Sequence, residues 1–368
     1  MNTIKKVIIS CKGFCARLCS TRTLVRLLIT VTIVLIAWNE LFVYELHKLF
    51  WKSIECNSGN CTRILLVADP QLLGENFDKS IYKWIETADS DRYVRMTYKR
   101  ALKFAKPDIV CFLGDLLDEG SVATNDQFKN YVDRFNSIFH IDDNIKFVHI
   151  PGDNDIGGEN GEYISNSNIR RFEIEFMNND IFDYQDRIRF FKINRMLLDI
   201  SNPQVETNKD RLRIAVSHMP ILWAGGPVLR NVLKDIDPHV IFSAHWHDSR
   251  IYIYPSSSPG SSHFYERRVE YFALDSFKSR QEYLEIAVPT SSYRMGKLRI
   301  GYGFAVIDNG NVLRYTVLWT LSRFIFLALY LIWIVIAIII IVILNVRRRC
   351  ISKILKRTHY NRISAPDF

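Results

Sequence analysis

The sequence predicts an α/β domain held between two membrane-spanning helices, and three observations support this fold class. Apolar, strand-like runs alternate with amphipathic helical segments through the middle of the chain, a pattern typical of α/β folds. Two long apolar stretches lie near the two ends of the 368-residue chain. The net charge of +9 comes from the tails that precede the first stretch and follow the second. A chain of this length suits one large domain with flanking segments.

The apolar stretch near the C-terminus is the clearer membrane span. Phe324 to Leu344 is 21 residues without a charge, and roughly 20 helical residues cross the hydrocarbon core of a bilayer. The stretch at 27–44 is apolar except for Asn39 and Glu40, and a carboxylate in lipid is costly unless it is paired or near the interface. A cleaved signal peptide is the alternative for this stretch. The length of the apolar run and the lack of a small-residue cleavage site favour a membrane helix.

The charge of the two tails predicts the orientation. The first 26 residues carry six Lys or Arg and no acid, and the last 24 carry seven and one acid. An excess of Lys and Arg marks the cytoplasmic side, so both ends are expected there. The predicted order is therefore a cytoplasmic tail (1–26), a span (27–45), a lumenal domain (46–316), a second span (320–344) and a basic cytoplasmic tail (345–368).

The same count removes the main support for nucleic acid as a partner. The two tails together carry a net charge of +12 against +9 for the whole chain, which leaves about −3 for the rest. The basicity therefore belongs to membrane topology, and no nucleic-acid partner is expected.

The cysteines near the first span agree with a lumenal domain. Cys56 and Cys61 follow that span, where disulfides can form, and we leave their pairing open. Asn60 begins the triplet Asn-Cys-Thr, which is a glycosylation acceptor in lumenal proteins. Cys111 lies inside an apolar strand and is expected in the core.

The middle of the chain alternates between the two kinds of element. Predicted strands are RILLVAD (63–69), DIVCFLGD (108–115) and KFVHIPGD (146–153), with helices at 91–106 and 126–139 between them. The second half is richer in strands. We predict a hairpin over 187–201, strands at 212–218 and 239–245, and a second hairpin over 303–319 around Asn309-Gly310, a strong turn signal.

Acids and histidines follow the predicted strands one after another. Three strands end on Asp69, Gly114-Asp115 and Gly152-Asp153, and two later ones end on His218 and His245-Trp246-His247. Each alone has an ordinary interpretation, because Asp after a strand is commonly a turn residue and a lone histidine is commonly a core residue. Ligands of α/β sheets bind outside the carboxyl ends of the strands, so the ordered set is expected to converge at one edge.

These residue types indicate metal-assisted phosphoester hydrolysis. Carboxylates and imidazoles together suit Mn, Fe or Zn. Two such ions about 3.5–4 Å apart hold a phosphoryl group and activate a water. The glycine before Asp115 permits the close approach that a bridging carboxylate requires.

The ordered set resembles the calcineurin-like metallophosphoesterase family, whose pattern is D-x-H, G-D, G-N-H-D, H and G-H-x-H. The resemblance implies a two-sheet α/β sandwich of metallophosphoesterase type and two divalent ions, with Mn²⁺ favoured and Fe or Zn as alternatives. It also implies that Asp115 bridges both ions. The remaining metal ligands would be Asp69, Gln71 and His247 for the first ion, and Asp153, His218 and His245 for the second.

Three departures from the family pattern bear on activity. Gln71 replaces a histidine, and its amide oxygen is a weaker ligand. Asp153-Asn154 replaces Asn-His, so Asn154, which with Asp115 is the predicted catalytic residue, cannot donate a proton as histidine does. Leaving-group protonation would then need water, another residue or a good leaving group. Ala244 replaces a glycine, a small change. In an alternative register Asn154 is the ligand, but the spacing from Gly152 favours Asp153.

Flanking residues narrow the resemblance to membrane-anchored members of the family that remodel glycosylphosphatidylinositol (GPI) anchors. These residues are GDLLDEG (114–120), DIGGE (155–159) and the paired terminal spans. The resemblance implies removal of ethanolamine phosphate from a mannose, the second, after the anchor is attached to protein. It also implies GPI-anchored proteins as substrates, cargo receptors of the early secretory pathway as partners, and residence in the endoplasmic reticulum, its exit sites or the Golgi. Trp246, Tyr293 and Arg294 are candidates for sugar or phosphate contact, with ordinary core or surface roles as the alternative.

Two other functions stay open at this point. The same scaffold could hydrolyse another lumenal phosphoester, because fold alone does not determine substrate. Alternatively, Gln71 and Asn154 could mark a non-catalytic lumenal binding module. Against that, six potential ligands remain in order along the sequence.

Overall fold

The structure, a computed structural model, describes residues 21–56, 59–77, 79–140, 144–158, 163–176, 181–197, 211–223, 226–255, 262–263 and 268–363. The chain divides into two units. The catalytic unit spans Tyr44–Ser322, and the helical unit combines Met1–Val43 with Arg323–Phe368.

Strands supply most of the catalytic unit. In chain order they are β1 (Cys61–Val67), β2 (Ile109–Leu113), β3 (Lys146–Ile150), β4 (Ile181–Tyr184), β5 (Ile188–Ile193), β6 (Leu212–Ser217), β7 (Val240–Ser243), β8 (Arg250–Tyr254), β9 (Ser262–His263), β10 (Glu270–Ala273), β11 (Tyr283–Ala287), β12 (Arg299–Asp308) and β13 (Val312–Leu321).

Helices connect these strands and form the helical unit. They are α1 (Thr21–Ala37), α2 (Val43–Lys48), α3 (Lys83–Ala105), α4 (Asn125–Phe139), α5 (Asp153–Ile156), α6 (Asn166–Phe176), α7 (Gly226–Asn231), α8 (Leu274–Ser279) and α9 (Arg323–Ile363). A π-helical turn, Trp38–Phe42, joins α1 to α2, and another, Val232–Ile236, follows α7.

The strands form two mixed sheets, which confirms the predicted two-sheet α/β fold. The first has the order β10-β13-β12-β1-β2-β3, and the second β4-β5-β6-β7-β11-β8-β9. Strands β1, β2 and β3 run parallel in the first sheet, as do β5, β6 and β7 in the second. The carboxyl ends of each parallel set therefore lie along one edge of its sheet.

The main core contains buried residues from both sheets. Strands β1 and β2 contribute Leu66 and Cys111, and strands β6 and β7 contribute Ile214 and Phe242 to the same cluster. Full burial of β2, residue after residue, explains why its sequence is continuously apolar rather than alternating. Cys111 is in the core, as predicted.

Local signals explain where the two large helices begin and end. Thr124 caps α4 through a capping box with Gln127, which satisfies backbone donors at the helix start. Helix α3 ends at Ala105, and its C-cap Lys106 has a left-handed backbone directly before Pro107, one residue from the end that the sequence predicts. It begins at Lys83, earlier than the predicted residue 91.

The predicted hairpin over 187–201 is wrong. Strand β5 pairs with β4 on one side and with β6 on the other. Residues Arg195–Leu197 form a 3₁₀ turn instead of a return strand, and residues 198–201 lie outside the described residues. The true hairpin turn is at Gln185-Asp186, where both residues have positive φ without being glycine. Such a turn carries none of the usual glycine or asparagine signal.

The predicted hairpin over 303–319 is confirmed, although its strands extend over Arg299–Asp308 and Val312–Leu321. The loop has three residues, and its left-handed position is Asn311 rather than Gly310. The Asp308 carboxylate accepts hydrogen bonds from the backbone N–H groups of Gly310 and Val312 at 3.0 Å each, which closes the turn.

Cys56 and Cys61 form a disulfide at the start of β1. Asn60, the predicted glycosylation acceptor, is exposed between them. The pairing that the sequence left open is therefore present, and it closes a short loop ahead of the strand that leads to Asp69.

Among the described residues, two helical stretches are long and apolar enough to cross a membrane, Arg22–Lys48 and Arg323–Arg349. The predicted second span began at residue 320, but Thr320 and Leu321 belong to β13 and the helix starts at Arg323. The strand continues to Leu321 because its ladder with β12 extends to the pair Arg299 and Leu321.

Glu40, which made the first span questionable, has partners on α9. Its Oε1 accepts hydrogen bonds from Arg323 Nη2 and from the Tyr330 hydroxyl, both at 2.7 Å. Asn39 Nδ2 donates to the Phe326 carbonyl at 3.1 Å. A paired carboxylate removes the main objection to a membrane helix here.

Candidate metal centre

The predicted ligands converge where two groups of parallel strands end. Asp69, Asp115 and Asp153 follow β1, β2 and β3, which are neighbours in the first sheet. His218 and His245 follow β6 and β7, which are neighbours in the second sheet. The sheet order thus gathers residues that are far apart in sequence.

Two groups of possible ligand atoms result, and His218 belongs to both. One contains Asp153, His218 and His245, and the other contains Asp69, Asp115 and His218; within each group the atoms lie within 4.8 Å of one another. His218 Nε2 is 2.7 Å from Asp153 Oδ1 and 3.5 Å from Asp115 Oδ1. His245 Nδ1 is 3.3 Å from Asp153 Oδ1.

The other predicted site residues border these groups. His247 Nε2 lies 3.9 Å from Asp69 Oδ1. Gln71 Nε2 and Asn154 Nδ2 each donate to Asp115 Oδ2, at 2.9 and 3.1 Å. The amide nitrogen of Gln71, rather than its oxygen, therefore faces Asp115.

Asp69 provides the clearest test of whether a cation fits. Its side chain is completely buried, and no side chain of the described residues donates a hydrogen bond to either carboxylate oxygen; Nδ1 of His218 is 3.8 Å from Oδ1. A buried carboxylate is expensive unless it is paired or binds a metal. With two further carboxylates and three imidazoles nearby, the donor set fits a pair of divalent ions.

Hydrogen bonding orients His218 for that role. Its Nδ1 lies 2.8 Å from the Leu113 carbonyl oxygen, an acceptor, so Nδ1 carries the proton in the neutral ring. Nε2 is then the free nitrogen and points at Asp153 and Asp115. Metal-binding histidines are commonly oriented by such a bond from the other ring nitrogen.

The electrostatics of the cluster favour a cation. Burial raises the pKa of Asp69 and of Asp115, and neighbouring carboxylates raise both further. Burial opposes protonation of His218, but Asp115, Asp153 and Asp69 outweigh it and raise its pKa well above the usual value. Burial and the nearby His218 and His245 lower the pKa of His247 to about 4, so its ring is neutral at physiological pH.

The backbone at the cluster is unusual. Five of the predicted ligand residues have positive φ although none is glycine: Asp69 (45°), Gln71 (40°), Asp115 (50°), His245 (67°) and His247 (61°). A left-handed conformation costs a non-glycine residue about 1 kcal/mol or more, and such strain clusters at functional sites. The surrounding sheets hold these residues in the orientation that brings their side chains together.

Two glycines make room for this arrangement. A Cβ on Gly152 would lie 2.1 Å from Asp115 Oδ1 and 2.3 Å from the Asp115 backbone nitrogen. A Cβ on Gly114 would lie 2.5 Å from His218 Nδ1, and Gly114 also has a φ of 88°. Any side chain at either position would separate the ligands.

Asp155 is a positioning residue that the sequence reasoning missed. Its buried carboxylate accepts hydrogen bonds from the backbone N–H groups of Gly152 (2.9 Å), Leu116 (3.1 Å) and Leu117 (2.9 Å). Burial and Asp115 raise its pKa to about 7. The residue ties the loop after β2 to the loop after β3. Its match to the final aspartate of the family pattern G-N-H-D was the available signal.

The candidates for substrate contact differ in accessibility. Tyr293 is buried and donates to Asp89 at 2.8 Å, and Arg294 pairs with Glu86 at 3.3 Å, so both are engaged with α3. Trp246 is half-buried, and its ring centroid lies 5.4 Å from that of His245. Trp246 alone among the three adjoins the ligand cluster.

Comparisons with known proteins agree with this geometry. The family pattern described as calcineurin-like phosphoesterase matches residues 62–249. "Metallophosphoesterase 1 homolog" from Drosophila melanogaster is 26% identical over 166 residues, which is 42% of this chain and 41% of that protein. "Metallophosphoesterase 1" from Pongo abelii is 24% identical over 202 residues, which is 52% of this chain and 49% of that protein. Each match thus spans about half or less of the curated relative.

Solved structures show a looser likeness. A metallophosphoesterase from Sphaerobacter thermophilus is 12% identical, with a TM-score of 0.38, over 70% of this chain and 88% of that chain. GAP50, the anchor in the inner membrane complex of Plasmodium, is 10% identical, with a TM-score of 0.37, over 71% of this chain and 84% of that chain. Likeness at this level does not bear on activity.

Proposed function

Because this chain belongs to the calcineurin-like phosphoesterase family, we propose that it is a membrane-anchored, metal-dependent phosphodiesterase that trims GPI anchors. It would remove ethanolamine phosphate from the second mannose of the glycan after the anchor is attached to protein. That trimming would aid transport of GPI-anchored proteins from the endoplasmic reticulum to the Golgi, where cargo receptors of the early secretory pathway would be its partners.

The buried carboxylate of Asp69, to which no side chain of the described residues donates a hydrogen bond, is the observation on which a metal-dependent reaction rests. Asp69, Gln71 and His247 would hold one ion, and Asp153, His218 and His245 the other, with Asp115 contributing to both. When bound, two divalent ions, Mn²⁺ by our proposal, would neutralise the charge of a phosphodiester and activate a water.

The residues around Asp115 show what the side chains of this protein would contribute to the proposed reaction. Gln71 and Asn154 donate to the same oxygen of Asp115, and the Asn154 backbone N–H donates to the other at 3.0 Å. These bonds hold the carboxylate rigidly. Neither amide can supply a proton to a leaving alkoxide, because amides do not titrate near neutral pH. The proposed reaction therefore takes that proton from water.

The two candidate spans support a substrate located at a membrane. They lie at opposite ends of the chain, and the catalytic unit lies between them in sequence. By the charge of the tails, both ends would be cytoplasmic and the catalytic unit lumenal. A GPI glycan sits at the lumenal leaflet, so this topology would bring enzyme and substrate to the same surface.

Gln71 and Asn154 also favour a second candidate, a non-catalytic lumenal binding module. Metal content and turnover separate the two candidates. The full chain in detergent micelles would be loaded with Mn²⁺, its bound metal counted by mass spectrometry, and ethanolamine phosphate release measured from a GPI glycan that carries it.

We expect two ions per chain in the wild type and loss of turnover in His247→Ala. The matched control is His140→Ala, which replaces an exposed histidine outside the cluster. This control should keep both the two ions and the turnover. Turnover only of other phosphoesters would support a phosphohydrolase with a different substrate. A metal-free, inactive protein would refute both enzymatic functions.

A further inference from the structure

Two tryptophans border the ligand cluster. Trp246 lies between His245 and His247 in sequence, and its ring centroid is 5.4 Å from that of His245. The Trp223 ring meets the Trp246 ring at 4.9 Å and an angle of 75°. Trp223 is 57% exposed, which is unusual for the largest apolar side chain. We call Trp223 and Trp246 the tryptophan pair.

The segment directly before Trp223 is held firmly. The buried Glu285 carboxylate on β11 accepts hydrogen bonds from the backbone N–H groups of Ile221 and Leu222 at 2.8 and 2.7 Å. Ser217 Oγ donates to the Met219 carbonyl at 2.7 Å. Neighbouring side chains thus fix the backbone from which the exposed ring extends. Such preorganisation lowers the entropy cost of binding.

Charges near Trp246 indicate which kind of ligand fits. The Arg250 guanidinium lies 5.9 Å from the centre of the Trp246 ring. Asp248 pairs with Arg250 at 3.2 Å and with Lys297 at 3.1 Å, so its charge is already compensated. The positive charge of Arg250 would repel an organic cation that approached the electron-rich ring face. A neutral ring with an apolar face carries no charge for Arg250 to repel.

We propose that the tryptophan pair is a stacking platform for the pyranose ring whose phosphodiester is cleaved. The inference rests on the proposed function and adds a substrate subsite to it. The C–H bonds of a pyranose face pack well on an indole face, which carries the negative part of the ring quadrupole. Because the Trp246 ring centroid is 5.4 Å from that of His245, a sugar joined to a phosphate bound in the cluster would lie beside the pair.

The test uses the full chain in detergent micelles with Mn²⁺. Methyl α-mannoside is titrated while tryptophan fluorescence is recorded. In parallel, KM is measured for a mannose-linked phosphodiester and for bis(4-nitrophenyl) phosphate, which has no sugar. The variants are Trp223→Ala and Trp223→Phe, and the matched control is Trp84→Ala, a tryptophan that is 72% exposed on α3.

We expect a saturable fluorescence change with mannoside in the wild type, in Trp84→Ala and in Trp223→Phe, and its loss in Trp223→Ala. Stacking of a nucleic-acid base on an aromatic side chain contributes about 1–3 kcal/mol, and we take the same scale for a sugar ring. The ratio of the sugar-linked KM to the sugar-free KM should therefore rise about 5- to 100-fold in Trp223→Ala.

Several results would overturn the platform. One is a mannoside response that survives in Trp223→Ala, and another is a KM ratio that does not change. A response to ethanolamine or to a short-chain lipid, but not to mannoside, would assign the pair to another ligand. Mannoside binding through Trp223 without release of ethanolamine phosphate would keep the platform and refute the proposed substrate. Release of ethanolamine phosphate with an unchanged KM ratio in Trp223→Ala would keep the proposed substrate and refute the platform.

Discussion

Gly152 offers a sharp test of how the cluster is built. Its φ of −101° and ψ of −179° are open to any residue, so an alanine would suffer no backbone strain. The effect of Gly152→Ala is therefore purely steric. The added Cβ would lie 2.3 Å from the backbone nitrogen of Asp115, and a backbone atom cannot rotate away as a side chain can.

The size of the effect follows from that distance. Restoring an ordinary contact of about 3.4 Å requires the loop after β3 and the loop after β2 to separate by about 1 Å. Overpacking of this kind costs about 1–3 kcal/mol of stability. For a unit of this size that is a fall in Tm of about 2–10 °C. Because the two loops carry Asp153 and Asp115, a 1 Å displacement should also lower kcat/KM about 100-fold.

The assay compares Gly152→Ala with Gly310→Ala. A Cβ on Gly310 would lie 3.5 Å from Asp308 Oδ1, an ordinary contact beside another carboxylate. The full chain in detergent micelles is assayed for Mn²⁺-dependent hydrolysis of bis(4-nitrophenyl) phosphate and for Tm with and without metal. Gly310→Ala should match the wild type in both. Activity of Gly152→Ala within threefold of the wild type, or an equal loss in both variants, would refute the steric reasoning.

Three further predictions follow from other parts of the structure. Asn154→His should supply the missing proton donor and raise kcat at least about tenfold for alkyl phosphodiesters but not for 4-nitrophenyl diesters, and an equal change in both would contradict it. Burial lowers the pKa of His149 from 6.5 to about 3, so the unfolded chain binds more protons between those values and stability should fall by about 2 kcal/mol from pH 7 to pH 5. His149→Phe, which keeps the flat stack on Phe112, should flatten that fall in a plot of Tm against pH. Glu40→Gln removes the charge that pairs with the buried Arg323 and should cost about 3 kcal/mol, read as a lower Tm that the double variant with Arg323→Gln partly restores.

The strand ends were predictable from local signals. Apolar runs before Asp69, Asp115 and His218 identify buried strands, and the geometry of parallel strands places their carboxyl ends together. Helix boundaries such as Lys106 were predictable for a similar reason, because Pro107 disfavours a helical residue before it. These features depend on residues within a few positions of one another.

The features that the sequence did not predict depend on contacts between residues that are distant in sequence. The role of Asp155 requires two backbone donors that lie almost 40 residues earlier in the chain. The partners of β5 could not be identified because the turn at Gln185-Asp186 contains neither glycine nor asparagine, the residues that usually mark a turn with two positive φ angles. The partner of Glu40 lies on a helix 283 residues away.

The π-helical turn at Trp38–Phe42 has a consequence for helical phase. Thr32 accepts a hydrogen bond from Trp333 at 2.9 Å, so Thr32 and Glu40 both face α9. On a regular α-helix two positions eight residues apart point about 80° away from each other, and the wider turn brings them back into line. A chain lacking the exposed Trp38 would place the two positions seven residues apart, about 20° out of line on a regular helix, and both contacts could form. A chain with one extra residue there would place them about 180° apart on a regular helix, and one of the two contacts would be lost.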